Sequence, residues 1–444
     1  MLELAFYYSA YIKPIEGPLC VTSKNKKYKN YRFYNEREYR YIPDFQELMN
    51  KNKERLNYTT DYKSAYKDAD VIFIGVGTPE RKDGSANLDF VYGVCREIAE
   101  SLEKDSVVVV KSTVPIGTND EIEKYLLENV RKDIHVTVAS NPEFLAQGTA
   151  VKDTLYASRI VLGVENDFAK ETLTKMYEPL TKEPYNVPLL VTNRRSAEMI
   201  KYASNDFLAL KISYINEISN LCEKLGADIE DVAKGMGLDS RIGNKFLKAG
   251  IGYGGSCFPK DTKALHWLSK SSGVELKTVK ACIEVNKNQK IKLYEKLSND
   301  YPNLNNLTVA VLGLTFKPGT DDLREAPSID NIELLLDAGV HVRAFDPISI
   351  DSFRKKISFD LEMDTITGTI NYFDNIDEAI TGADAVLIMT EWPEIKKYDI
   401  SKYNELMNKP VVYDGRNCYN PNEIVKYNIR YIPMGREEIN TLKD

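Results

Sequence analysis

The stretch Ala69-Asp-Val-Ile-Phe-Ile-Gly-Val-Gly-Thr-Pro79 is apolar at consecutive positions and then breaks into a glycine turn. A strand of that kind is buried on both faces, as in a parallel sheet, and needs helices on either side. The pattern then repeats. Ser106-Val-Val-Val-Val-Lys-Ser-Thr-Val-Pro115 and His135-Val-Thr-Val-Ala-Ser-Asn-Pro-Glu-Phe144 are two more such strands, each ending in polar residues. Amphipathic stretches at Leu88–Leu102 and Gly117–Asn129 alternate with them, and shorter helices are expected at Phe45–Leu56 and Tyr62–Lys67. Strands alternating with helices make a doubly wound α/β domain, which binds ligands at the C-terminal ends of its strands.

From Arg195 to about Lys296 the pattern turns almost wholly helical. Ser196 to Leu225 lacks Gly and Pro until Gly226, which suits a C-cap. A helix of that length suggests a bridge between domains or a dimer interface. Alternation resumes with strands at Leu307–Gly313, His341–Pro347, Ala385–Thr390 and Pro410–Asn417, and helices at Ser328–Ala338 and Ile376–Thr381. The expected fold is therefore two Rossmann-like doubly wound α/β domains joined by a helical central domain with a long helix. The domain boundaries are placed at 1–195, 196–298 and 299–444.

Composition excludes several function classes. No apolar run reaches membrane-spanning length, and no basic-then-apolar leader opens the chain, so a cytoplasmic location is expected. A net charge of −7 argues against nucleic acid as a partner. The six cysteines include no CxxC pair, and only three histidines exist, so neither a metal centre nor a His-based triad is expected. Acid–base work falls to carboxylates and lysine.

The densest chemical signal is Gly252-Tyr-Gly-Gly-Ser-Cys257-Phe-Pro-Lys-Asp261. Pro259 suits the start of a helix, which puts Cys257 at its N-terminus, where unpaired N–H groups favour a thiolate. Asp261 follows one turn later. A nucleophile beside an acid–base group fits, and so, on spacing alone, does a glycine turn with an inert cysteine.

Taken together, Gly77-Thr78-Pro79, Lys111-Ser-Thr113-Val-Pro115, Asn141-Pro-Glu143-Phe144-Leu145, Glu198-Met-Ile-Lys201-Tyr-Ala-Ser-Asn205, Gly254–Asp261, Phe316-Lys317-Pro-Gly-Thr-Asp-Asp-Leu-Arg324 and Asp414-Gly-Arg416-Asn417 resemble the UDP-glucose/GDP-mannose dehydrogenase family from about Tyr41 to Asn417. The resemblance implies NAD as cofactor, at least a dimer, and oxidation of a nucleotide-sugar alcohol to a carboxylate in two steps. It implies that Cys257 captures the aldehyde as a thiohemiacetal, which becomes a thioester that water hydrolyses. Lys201 and Asn205, one helical turn apart, would hold the oxyanion. Asp261, through a water, would serve as base for the alcohol. Glu143 would help activate the hydrolytic water, with Thr113 nearby. Without the resemblance, Lys201 reads as a solvated helix charge and Asn141-Pro142-Glu143 as a turn.

For substrate, Arg241-Ile-Gly-Asn244-Lys-Phe246-Leu-Lys248-Ala-Gly-Ile-Gly252 looks like the UDP-glucose branch rather than the GDP-mannose or UDP-N-acetylmannosamine branches. By resemblance Phe144, Leu145, Asn244, Phe246, Lys248, Tyr253 and Gly254 contact UDP-glucose, Lys317 and Arg416 reach it from the C-terminal domain, and Arg241 reaches a neighbouring subunit's substrate. For the cations a solvated surface is the alternative. Gly77, Thr78, Pro79, Thr113, Lys260 and Arg324 belong to the cofactor side.

Two departures stand out. The family's second carboxylate after Asn-Pro-Glu is here Gln147, which keeps hydrogen bonding without charge. The family's opening strand, G-x-G-x-x-G turn and acidic residue, which hold the pyrophosphate and ribose, have no counterpart before Tyr41, where Gly17 is the only glycine. The first forty residues, rich in tyrosine and lysine, read as a frame-shifted or otherwise altered start of the cofactor domain, with weakened NAD binding expected.

Overall fold

A computed structural model describes residues 50, 52–360 and 367–442. The expectations for residues 1–40 lie outside these, as does most of the helix expected to begin at Phe45; within its range, residues 52–55 form turns. The chain divides into two compact units, residues 1–204 with Lys270–Ser272, and residues 205–269 with 273–444.

The first unit contains, in order, α1 (Tyr62–Tyr66), β1 (Val71–Ile74), α2 (Asp89–Ser101), β2 (Ser106–Val110), α3 (Thr118–Asn129), β3 (Val136–Ser140), α4 (Ala150–Leu155), β4 (Ile160–Gly163), α5 (Asp167–Thr181) and β5 (Leu189–Thr192). The five strands form one sheet in sequence order. β1, β2 and β3 run parallel; β4 joins β3 antiparallel through Ser140 and Gly163, and β5 runs parallel to β4. Every residue of β2 and β3 is buried, the valines and alanine together with the small polar Ser106, Thr137 and Ser140. Because side chains alternate along a strand, β2 feeds two cores. Val108 and Val110 pack with Ile72, Ile74, Ile98 and Ile122, while Val107 and Val109 pack with Leu162, Leu173 and Tyr177. Each such side chain contributes on the order of 1.5–3 kcal/mol by leaving water.

Next comes α6 (Arg194–Leu225), a single 32-residue helix. The Asn193 side chain accepts from Ser196 N at 2.7 Å to cap its start. Gly226, at φ +71°, ends it, as its position in the sequence suggests. Near the start of α6, buried Glu198 accepts from the backbone N–H groups of Gly117 (2.6 Å) and Asn119 (2.9 Å). A carboxylate therefore meets the positive N-terminus of α3.

The second unit continues with α7 (Ile229–Gly237), α8 (Phe258–Ser271, whose last residues count with the first unit), α9 (Lys277–Lys290) and α10 (Lys292–Asp300). There follow β6 (Thr308–Leu312), α11 (Pro327–Asp337), β7 (His341–Phe345), α12 (Ile350–Asp360), β8 (Thr369–Phe373), α13 (Ile376–Ile380), β9 (Ala385–Ile388), α14 (Pro393–Lys396), α15 (Ser401–Leu406), β10 (Val411–Asp414), α16 (Pro421–Ile424), β11 (Arg430–Ile432) and β12 (Ile439–Asn440). The seven strands are ordered β12-β11-β10-β9-β6-β7-β8, and all are parallel except β12. β6 and β9 again divide their side chains between two cores, Val309, Val311 and Leu387 on one face and Ala310, Leu312 and Ile388 on the other. From β6 the chain winds outward through β7 and β8, then returns to β6's other edge as β9. That reversal is a topological switch point, where open α/β sheets hold ligands.

Candidate active site

Each unit carries a polar cluster at the C-terminal ends of its parallel strands. In the first unit three loops meet. The Thr78 hydroxyl, in the loop after β1, donates to Thr113 O, in the loop after β2, at 2.8 Å. Lys111 Nζ, at the end of β2, donates to Asn141 Oδ1, at the end of β3, at 3.0 Å, and Asn141 Nδ2 donates to Val161 O at 2.8 Å. This crossing of amide and amine bonds fixes Pro142 and Glu143. Gly77 and Pro79 are exposed beside buried Thr78.

Lys201 is buried and pairs with Glu143, Nζ to Oε1, at 3.1 Å. The other Glu143 oxygen accepts from Leu145 N at 2.6 Å. Burial acts to raise the Glu143 carboxyl, but the Lys201 ammonium, the Leu145 N–H and Lys111 together hold it below its ordinary value. Burial pushes the Lys111 amine down to about 8, against the pull of Glu143. Phe144 lies under the Arg159 guanidinium, 3.8 Å from ring centroid, with Lys201 Nζ 5.4 Å away. Arg159 also donates to Ser204 Oγ at 3.0 Å. Sequence reasoning missed Arg159, since nothing in its spacing sets it apart.

In the second unit, Cys257 is the residue before α8, exposed, and its carbonyl accepts from Asp261 N at 2.8 Å in the first turn. The thiol therefore stands at a helix N-terminus, where the Pro259 signal puts it. Asp261 is buried at 1% exposure. Its Oδ1 pairs with Lys260 Nζ at 2.5 Å, and its Oδ2 accepts from Asn205 Nδ2 at 2.6 Å.

The loop leading to Cys257 is built of glycines because backbones crowd it. A Cβ on Gly254 would sit 2.3 Å from Glu325 O, and Gly255, at φ +83°, donates its N–H to Arg324 O at 2.7 Å. Three buried amide side chains pin this loop. Asn286 accepts from Tyr253 N at 2.8 Å and donates to Tyr253 O at 3.0 Å; Asn216 accepts from Gly250 N at 2.9 Å; Gln289 donates to Gly250 O at 2.7 Å.

This loop walls a cavity of about 260 Å³, lined also by Phe246, Lys248, Lys317, Glu391 and Arg416. Tyr253 and Gly254 line it as well. Lys317 follows β6, Glu391 follows β9 and Arg416 follows β10, so the cavity sits at the switch point of the sheet. Arg416 also donates to Met389 O (2.9 Å) and Gly252 O (3.2 Å), tying two loops together. Glu391, which sequence reasoning missed, stands 3.6 Å from Lys248 Nζ and 3.5 Å from Arg416 Nε. Burial would raise its carboxyl, yet Arg416 and Lys248 hold it lowered and ionised. The cavity lining thus keeps a net positive charge.

Arg241 and Asn244 do not line the cavity. Both are exposed, and Arg241 pairs with Asp239 at 2.7 Å. Of the residues expected on the cofactor side, Lys260 is engaged with Asp261, and Arg324 pairs with Asp322 at 2.6 Å.

Open α/β sheets with loops at their strand ends, an exposed thiol at a helix N-terminus and a cationic cavity are the arrangement of a ligand-binding α/β protein with a nucleophile to hand. Comparison with known proteins gives the family. Models of the UDP-glucose/GDP-mannose dehydrogenase family match in succession, the NAD binding domain over residues 25–181, the central domain over 195–288 and the UDP binding domain over 310–421. The chain belongs to this family of NAD-dependent oxidoreductases. It is 46% identical over 399 residues to UDP-glucose 6-dehydrogenase YwqF of Bacillus subtilis, covering 89% of this chain and 88% of that one. It is 45% identical over 390 residues to the UDP-glucose 6-dehydrogenase of Rhizobium meliloti, covering 86% of each. A UDP-glucose dehydrogenase from the archaeon Pyrobaculum islandicum superimposes with a TM-score of 0.78 at 35% identity, over 88% of this chain and 86% of its own.

Proposed function

We propose that the protein oxidises the C6 alcohol of UDP-glucose to the carboxylate of UDP-glucuronate in two NAD-dependent steps. The observation that carries this reading is the cavity of the second unit, where Lys248, Lys317 and Arg416 offer three cations to a diphosphate. Phe246 and Tyr253 supply aromatic surface in the same lining.

NAD, when bound, accepts a hydride in each step. Gly77, Thr78, Pro79 and Thr113 would hold it, a fit supported by the Thr78–Thr113 bond that joins two loops at the strand ends. Lys260 and Arg324 would join them on the cofactor side.

The chain's own residues do the rest. Asp261, set between Lys260 and Asn205, takes the proton of the C6 hydroxyl through a water. The Cys257 thiolate adds to the aldehyde carbon, and the oxygen that becomes negative is held by Lys201 and Asn205, one turn apart on α6. Loss of the second hydride leaves a thioester. Water oriented by Glu143 then breaks its C–S bond, with Thr113 beside it, and the thiolate returns. Gln147 adds a hydrogen-bonding group to that loop without a second charge. Phe144 and Leu145 border the sugar. Arg241, exposed on its loop and paired with Asp239, would exchange that partner to reach a neighbouring subunit's substrate.

A second copy of the chain supplies that neighbour. Phe207, Tyr214, Leu221 and Leu225 on α6 are 62%, 48%, 54% and 73% exposed. The first three fall at heptad spacing, so they form one apolar stripe suited to another helix. The chain is assigned an NAD domain (1–195), a central dimerisation domain (196–298) and a UDP-sugar domain (299–444). Among the described residues no helix is long and apolar enough to cross a membrane. The charge of −7 speaks against a nucleic-acid partner, and the cytoplasm is the location proposed.

The test is NADH formation from UDP-glucose and NAD, beside a Cys257→Ala control. Two NADH are expected per UDP-glucose, with none from the variant while calorimetry still detects UDP-glucose binding. Turnover of GDP-mannose or UDP-N-acetylmannosamine in preference to UDP-glucose would overturn the substrate assignment.

A further inference from the structure

Asp206 follows Asn205 on α6 and is only 7% exposed, yet neither of its carboxyl oxygens finds a hydrogen-bond partner among the described residues. Its charged neighbour is Asp261 of α8, whose carboxylate is already shared between Lys260 and Asn205. From α9 the Cys282 thiol faces it, and that thiol is itself engaged with Ser213 Oγ (3.3 Å) and the Tyr253 hydroxyl (3.4 Å). Among the described residues no cation acts on Asp206, and Lys260 pairs with Asp261. A leucine would fill this position without the cost of burying a carboxyl.

A buried carboxyl with no donor, set beside a second carboxylate, resists ionising. Burial first, and the Asp261 charge second, push Asp206 up to about 8. The two carboxyls therefore sit in opposed environments. One has an ammonium and an amide as partners; the other has neither and keeps its proton. Such pairs divide acid and base roles between chemically identical groups.

We propose that Asp206 is a positioning residue for Asp261: protonated, it leaves the pair a single negative charge on Asp261, and on losing its proton to solvent it strengthens Asp261 as acceptor of the substrate's hydroxyl proton. This rests on the reading of Asp261 as the base. The sign for stability follows from linkage. A carboxyl raised on folding stabilises the protein fully below about 4, and that contribution is lost as pH climbs to about 8.

The experiment compares the wild-type chain with Asp206→Asn in two ways. Thermal midpoints are read at pH 5 and pH 9, and kcat and KM for UDP-glucose are read from pH 6 to 10. The variant should gain several degrees over wild type on going from pH 5 to pH 9. The wild-type kcat should rise several-fold through a midpoint near 8, and that rise should be absent from the variant, with the change confined to kcat. A stability difference equal at the two pH values, or a variant that keeps the kcat inflection, overturns the proposal. The stability arm reads the Asp206 proton even if the chain does not turn over UDP-glucose, so failure of the substrate assignment is told apart from failure of this inference.

Discussion

Glu143 shows how much one side chain can depend on its partner. Its carboxylate satisfies the buried Lys201 ammonium, and Lys201 in return keeps it ionised. Replacing Glu143 with Gln removes the carboxylate paired with that buried ammonium, which costs about 1–3 kcal/mol for a pair of this kind. The sign of the pH dependence is opposite to that of Asp206. A carboxyl lowered on folding stabilises the protein above its unfolded value near 4.5 and loses that contribution as pH falls through its folded value. Denaturant midpoints of Glu143→Gln and wild type should therefore differ at pH 7 and draw together as the pH falls below 4.5. Little of this was visible in the residue order. Glu143 reads as part of a turn and Lys201 as a solvated charge until the fold brings them together. Asp206 reads as one more polar residue of a helix, because burial is decided by what packs against the helix and not by the helix's own letters.

Among the elements, the loop from Gly250 to Cys257 is set by steric exclusion as much as by attraction. Its glycines were legible, since three in four residues before a serine and a cysteine imply a close backbone approach. What they approach was not. The Glu325 carbonyl and the amides of Asn216, Asn286 and Gln289 come from distant stretches, and in those stretches they look like ordinary helix polarity. Gly254→Ala must push its new methyl against a backbone oxygen that cannot turn aside. A loss of about 1–3 kcal/mol in stability is expected, with UDP binding by calorimetry weakened at least about tenfold; a variant that binds UDP like wild type would remove this loop from the site. The strands, by contrast, were legible almost to the residue, because a segment buried on both faces must be apolar throughout. β4, β5, β8, β11 and β12 were not foreseen. β4 and β5 are four-residue strands, β11 and β12 are of three and two residues, and β8 is largely exposed on one side, so none presents a long apolar run.

For the whole molecule, the exposed stripe on α6 predicts self-association. Phe207→Glu with Leu221→Glu places two charges where a partner helix would bury apolar surface. Sedimentation should show the wild type at twice the chain mass or a multiple of it, and the variant at the mass of one chain. A variant that keeps the wild-type mass would move the interface elsewhere. The two α/β sheets and the helical middle were legible from periodicity alone. The seven-stranded sheet's switch point was not, because strand order depends on which edges meet in space, and three of the cavity's charged residues owe their convergence to it.

The division between the two units falls between Ser204 and Asn205, inside α6 and not in a linker. Most multidomain chains can be divided at a flexible joint into pieces that are expressed apart. Here the joint is the middle of a continuous hydrogen-bonded helix, and a cut there would leave each piece with a frayed stump in place of an internal turn. Lys201 would go with one fragment and Asn205 with the other. A cut inside α6 is therefore a poor way to divide the gene into separately encoded subunits.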